Sequence, residues 1–405
     1  MSPTSTYIVL FCVATAVAIA VRPLRIPYTV ALVLVGLLLG SFRAVAGVHL
    51  TRDLLFSVFL PGLLFEAAFH IRATVFRRLW VAVAALAIPG VVAAIAITSA
   101  VMTTALRGFG IAPEFAWGSA MIFAAIVAAT DPVAVTALFR ELNVPEDLLV
   151  LVEGESLFND GTAIVFLGLI LTYVAGAPVT PLGMVGRFVV VAGGGAIVGG
   201  VVGLIAVRAI AWLDDAMIEI AITTVAAYGS FVLAENLHVS GVIATVVAGM
   251  LCGNLGRSGA MSEGTRHVLE SFWEYVAFAL NSVIFLLIGF EVSLGALATS
   301  WREIGIAYVA ILVARTVVVY AGRFLYRTVT RDADGAHQAA WNVILVWGGL
   351  RGALSMVLAL SLELEIAHRS LIITMTTGVV LMTLLVQGLT MAPLLRRLRV
   401  RGEDA

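Results

Sequence analysis

The sequence predicts an all-α polytopic membrane protein of about 13 transmembrane helices. Three observations predict it. Apolar residues make up 61% of the chain and charged residues only 12%, whereas soluble domains carry roughly 25% charged residues. Apolar stretches of about 20 residues, enough to cross a bilayer as a helix, recur along the whole length. The weakly alternating segments of a membrane barrel are absent, which leaves helices, since these satisfy their own backbone groups in hydrocarbon.

Charged or Pro/Gly-rich breaks delimit the spans in order. The first six are Thr6–Val21, Tyr28–Val45, Leu54–Ile71, Trp80–Leu106, Phe115–Phe139 and Asp147–Val174. The remaining seven are Met184–Trp212, Met217–Leu237, Val239–Cys252, Val268–Val292, Ile304–Tyr326, Gln338–Leu362 and Ser370–Leu395. The first apolar run is followed, not preceded, by arginines (Arg22 and Arg25), the reverse of a secretory signal peptide, so it is kept as a span. All 24 basic residues are arginine. Sixteen fall in loops after odd-numbered spans or in the C-terminal tail, against six in the opposite loops. Positive charge prefers the cytoplasm, so the N-terminus is expected outside and the tail inside. Cys12 and Cys252 both sit in apolar runs, which suggests neither a disulfide framework nor a metal site. No phosphate loop or metal-ligand cluster is evident, so an ion gradient is the energy source the sequence leaves open, and no enzymatic role is expected.

Ionisable residues within hydrocarbon are costly and carry the functional expectation. In AAIVAATDPVAVTALF, Asp131 immediately precedes Pro132. Proline has no N–H to offer the carbonyl of Ala128 and pushes Asp131 away from helical angles. The helix is expected to open at Thr130–Asp131, leaving carbonyls beside a carboxylate, a nest suited to a hard cation. In the next span, GESLFNDGTAIV, Glu155 and Asn159 fall at i and i+4, as do Ser156 and Asp160. Ser156 and Asp160 are placed in the site with Glu155 and Asn159 beside them, while Glu153 is read as a charge at the helix N-terminus. The twelfth span sets Arg351 among Gly348, Gly349 and Gly352, and the eleventh holds Arg315. These two arginines are expected to neutralise the buried carboxylates. Asp131, Asp160 and Glu155 against Arg315 and Arg351 leave a net −1, which one monovalent cation or one proton restores to neutrality. That arithmetic favours one-for-one, electroneutral exchange at a single site.

Breaks in the fifth and twelfth spans suggest inverted repeats within one membrane domain, 1–405. Repeat one covers about 1–176, a linker helix about 184–212 and repeat two about 215–397, with a short basic tail at 396–405. Gly195, Gly199 and Gly203 mark a close helix contact, with this chain or with a second copy. Glu66 and Glu219 are read as polar helix contacts, and the histidines as interfacial or turn residues.

These motifs resemble the cation–proton antiporter family of the NhaP and Na+/H+-exchanger type. TDPVAV, GESLFNDGTAIV, HVSGVIATVVAGM, NSVIFLLIGF and GGLRGALS stand in that family's order. The resemblance implies that Asp160, Asp131 and Ser156 contact the cation and that the Thr130 main chain adds an oxygen. Glu155 would act through water or an arginine, with Arg351 and Arg315 as counter-charges. Asn159 stands where the electroneutral members carry the first residue of an Asn-Asp pair. A core bundle with crossed broken helices, a dimerisation region, a homodimer in the cell membrane and a part in sodium and pH homeostasis are also implied. The partners are Na+ (with Li+ or K+ in competition), protons and the lipid bilayer. No further cofactor and no nucleic acid is implied. A K+/H+ antiporter on the same scaffold is the nearest alternative. A passive channel lacks its continuous polar stripe, and an intramembrane aspartyl protease lacks its GxGD stretch.

Overall fold

A computed structural model describes residues 3–21, 27–41, 54–177, 180–213, 215–255, 263–330, 336–398 and 400. Arg22, Arg25, Arg43, Arg52, Arg257, Arg331, Arg399 and Arg401, all counted in the arginine asymmetry, and His49, one of the histidines, lie outside them. The helices of the first half are α1 (Pro3–Val21), α2 (Tyr28–Ser41), α3 (Leu60–His70), α4 (Ala73–Ala87), α5 (Pro89–Gly108), α6 (Trp117–Ile126), α7 (Val133–Glu141) and α8 (Glu146–Val174). Then follow α9 (Pro181–Ile210), α10 (Ala216–Asn236), α11 (Gly241–Leu255), α12 (Glu263–Phe290) and α13 (Leu294–Thr299). The last are α14 (Trp301–Thr330), α15 (Ala336–Trp347), α16 (Ala353–Leu360), α17 (Arg369–Met382) and α18 (Leu389–Leu398). Two π-turns, Leu55–Phe59 and Thr383–Gly388, lead into α3 and join α17 to α18. Among the described residues, seven helices are long and apolar enough to cross a membrane.

Each expected span has a helical counterpart, and local chemistry sets where these begin and break. Pro89 opens α5 after α4, dividing the fourth span. Thr180 caps α9 by accepting from Gly183 N–H at 3.1 Å, with Pro181 at its first position. Asp215 caps α10 through Met217 and Ile218 N–H at 2.9 and 3.1 Å. α8 begins at Glu146, so its first-turn acids are Glu146 and Asp147. Glu153 therefore lies in the helix body, where it binds Arg140 at 2.9 Å, and the expectation that it serves the N-terminus is corrected.

The chain forms two compact units, each assembled from segments distant in sequence. One comprises Arg52–Arg78 and Ala175–Asn281. In it α11 packs against both α9 and α3. A Cβ on Gly199 would strike the Ala244 carbonyl, and one on Gly195 the Ser240 carbonyl. On the opposite side of α11, a Cβ on Gly249 would lie 2.8 Å from the Phe65 carbonyl. The α9 glycines thus serve a backbone-to-backbone contact inside this chain, answering the question left open by their spacing. Phe65, Phe69, Cys252, Leu269 and Trp273 fill the centre. Trp273 donates its indole N–H to Thr223 Oγ1 at 3.2 Å, which satisfies the one polar atom of a fully buried ring. Glu219 is fully buried in α10, and Glu66 pairs with His70 at 3.2 Å. His70 is thus tied to a carboxylate one turn away, beyond the simple interfacial role first assigned to it.

The second unit comprises Met1–Thr51, Leu79–Val174 and Ser282–Ala405. In it α5 packs on α14 and α6, α6 on α8, and α17 on α14 and α16. Tyr28 donates to the Ala14 carbonyl at 3.1 Å and contacts Ser282 Oγ at 2.9 Å, tying α1, α2 and the end of α12. This unit contains both interrupted spans.

Candidate cation-binding site

The site is built where two helices stop and restart. Between α6 and α7 the segment Val127–Pro132 leaves helical geometry, and between α15 and α16 so does Gly348–Gly352. Buried backbone groups freed in this way must find partners. Asp131 N–H donates to the Leu350 carbonyl at 2.8 Å, so the two breaks meet backbone to backbone. Ser355, in the first turn of α16, donates to the Ile126 carbonyl at 2.9 Å. Arg351 Nη1 donates to the carbonyls of Ala128 at 2.7 Å and Ala129 at 3.0 Å. Ser156 of α8 donates to the Thr130 carbonyl. Asn159, three residues after Ser156 on the same helix, accepts from Thr130 N–H at 3.3 Å and donates to Thr130 Oγ1 at 2.6 Å.

The charges are distributed more specifically than the count of groups suggested. Arg315 grips Glu155 through both terminal nitrogens, with Nη2 to Oε2 at 2.7 Å, and its Nε donates to the Leu345 carbonyl at 3.1 Å. This is the bidentate fork that guanidinium geometry favours. Among the described residues, Arg351 bonds no carboxylate. Its guanidinium sits at the carbonyl end of α6, where the helix dipole is negative, and it interacts with the charges of Glu155 and Asp160 through space. The Asp131 carboxylate accepts from Val133 N–H at 3.0 Å. Its other oxygen lies where Gly352 would carry a Cβ. Gly349 faces Arg315, whose Nε is 3.0 Å from the position a Cβ would take.

Asp160 is different. Its Oδ1 is buried and has no hydrogen-bond partner among the described residues. Leaving a carboxylate oxygen in that state costs on the order of several kcal/mol unless a cation or a proton meets it. The Asp160 side chain lies one turn beyond Ser156 on α8, and the charges of Asp131 and Arg351 both act on it. A carboxylate oxygen left without a donor, with the Ser156 hydroxyl one turn away on the same helix, is a donor set that suits a hard monovalent cation.

The structure therefore ties Ser156 and Asn159 to Thr130, and Asp131 and Arg351 to the backbone of the opposite break, with Glu155–Arg315 as a separate ion pair. Asp160 lies on α8 with Glu155, Ser156 and Asn159, feels the charges of Asp131 and Arg351, and makes no hydrogen bond through Oδ1 among the described residues. Ser355, Thr383 and the steric role of Gly352 were not singled out from the sequence. Ser355 stands in GGLRGALS four residues after Arg351, a helical spacing that could have pointed to it. Thr383 carries no comparable signal.

Residues 8–397 match the transmembrane sodium/hydrogen exchanger family. The chain belongs to that family. Among family relatives, the low-affinity Na+/H+ antiporter NhaS1 of Synechocystis is 39% identical over 388 residues, covering 94% of this chain and 71% of that protein. The Na+/H+ antiporter NhaH of Halobacillus aidingensis is 36% identical, covering 95% of this chain and 94% of that one. The sodium proton antiporter MjNhaP1 of Methanocaldococcus jannaschii shares the fold, with a TM-score of 0.77 over 98% of both chains at 19% identity. In this exchanger-family chain the crossed breaks lie within the fold so shared.

Proposed function

We propose that this chain is a secondary active Na+/H+ antiporter working by alternating access at one site that Na+ and a proton occupy in turn. The observation that carries this reading is the buried, unpartnered Asp160 oxygen beside two crossed helix breaks. Asp160, Asp131 and Ser156 would contact Na+, and the Thr130 main chain would add an oxygen. Asn159 holds Thr130 in place, and Ser156 keeps acceptor capacity on an oxygen whose hydrogen is already given to Thr130. The Glu155–Arg315 pair is neutral in itself. Asp131, Asp160 and Arg351 then leave −1, which one Na+ or one proton balances. Each half-cycle moves a neutral site, so exchange is one for one and electroneutral.

The family names of the relatives support sodium and proton as the exchanged pair. The N-terminus is placed outside, the C-terminus in the cytoplasm, and the working unit is a homodimer in the cell membrane.

Reconstituted vesicles with an interior pH dye test the reading. Adding Na+ to acid-loaded proteoliposomes should dequench the dye, and Li+ or K+ should do so less. A potential of about 100 mV, worth about 2.3 kcal/mol per charge moved, should drive no exchange. A larger response to K+ would make this a K+/H+ antiporter. Cation entry without proton movement would favour a channel.

A further inference from the structure

We infer that Thr383, in the π-turn of the last span, is a positioning residue that holds the second helix break in register so that Arg351 reaches the first. Three observations carry this inference. Thr383 is 1% exposed, and its hydroxyl accepts from the Arg351 backbone N–H at 3.1 Å. The same hydroxyl donates to the Val380 carbonyl of α17 at 2.9 Å, with the Arg351 carbonyl a longer second acceptor at 3.5 Å, so its own helix and the break both orient it. It sits at the first position of the π-turn Thr383–Gly388, a widened turn of the kind that helices adopt at functional places.

The geometry explains why such a strut is needed. Residues 349–352 form no helical ladder, and on one side the segment is tied to the first break by Asp131 N–H on the Leu350 carbonyl. Gly352 lies directly against the Asp131 carboxylate. Nothing in those contacts holds the Arg351 N–H, which is buried with the residue itself at 4% exposure. Thr383 supplies that bond from the opposite side. The guanidinium of Arg351 meets two adjacent carbonyls through one nitrogen, at 2.7 and 3.0 Å, and a small shift of its backbone would lose one of them. Thr383 touches neither cation nor proton in this scheme. It acts through Arg351.

The consequence for transport rests on the exchange reading; the strut itself does not. Two readouts separate them. The first is amide hydrogen–deuterium exchange of the peptide bearing Arg351, measured in detergent on the full chain without any transport. Thr383→Val removes the hydroxyl at nearly constant volume and should speed exchange at Arg351 about tenfold, the effect of one lost hydrogen bond. Thr383→Ser should keep the native protection. The second is the apparent Km for Na+ in proteoliposomes, which should rise about tenfold in Thr383→Val and return towards wild type in Thr383→Ser.

Unchanged amide exchange in Thr383→Val overturns the strut, whatever the transport result. Faster amide exchange with an unchanged Km overturns the positioning role, as does equal impairment of the valine and serine variants, which would mean that packing is what matters. Should the valine variant fail to fold, Thr383→Ala is measured in the same two ways, with the same expected and opposing results. Wild-type vesicles without Na+-driven proton movement would defeat the exchange reading alone, and the amide measurement would still decide the strut.

Discussion

Asp160→Asn is expected to abolish exchange while leaving the protein inserted and folded. The substitution keeps the shape of the side chain and removes the charge for which Na+ and the proton compete. Asn also brings an N–H2 donor into a place where the wild-type Oδ1 has no partner, so a fold penalty beyond about 1–3 kcal/mol is not expected. Thermal unfolding in detergent should therefore remain close to wild type. Na+-driven dequenching in proteoliposomes should fall to the level of empty vesicles. A folded Asp160→Asn protein that still moves protons when Na+ is added would remove Asp160 from the centre of the mechanism.

Gly352→Ala is the second large effect. An added methyl would occupy the space of the Asp131 carboxylate, and the obstacle includes Asp131 Cβ and Cγ as well as an oxygen. The carboxylate can yield only by leaving the crossing or by moving the break, and overpacking of this kind costs about 1–3 kcal/mol. Misplacing a reacting group by about 1 Å can cost a hundredfold in rate, and a comparable loss of maximal exchange rate is expected here. The matched control is Gly186→Ala on α9, where an added Cβ meets nothing within 4 Å. Initial dequenching rates at equal protein density check the pair. Equal rates for both variants would mean that Asp131 has no fixed place in the cycle.

Much of this architecture was legible in the sequence because its causes are local. Pro132 after Asp131 announces a break wherever the segment lies, and the structure shows helix missing from Val127 to Pro132. The Gly348–Gly352 cluster announces the second. Apolar run length fixed the spans for the same reason. What the sequence could not reveal was which group satisfies which. Arg351 was expected to face a carboxylate, yet it bonds two backbone carbonyls, because the end of α6 offers acceptors that only the crossing brings near. Asn159 looked like a bystander to the acid beside it, yet it binds both Thr130 N–H and Thr130 Oγ1. Thr383 lies 32 residues from Arg351 in an unremarkable apolar run, and no periodicity links them. Glu153 was misplaced for a simpler reason: α8 starts at Glu146, within one residue of the expected span, which already puts Glu153 about two turns inside the helix, beyond reach of its N-terminal N–H groups. Such pairings are long-range, and a single sequence holds no record of them.

The apparent Km for Na+ measured across pH tests the central claim most directly. If Na+ and protons occupy one site in turn, lowering the proton concentration frees that site. In the range where protons compete, Km should fall by up to about tenfold for each unit rise in pH, as mass action requires. At higher pH it should level off, while turnover slows because the return step lacks its proton. Km values for Na+ that stay constant across the active pH range would contradict a shared site and would require cation and proton to bind at separate places.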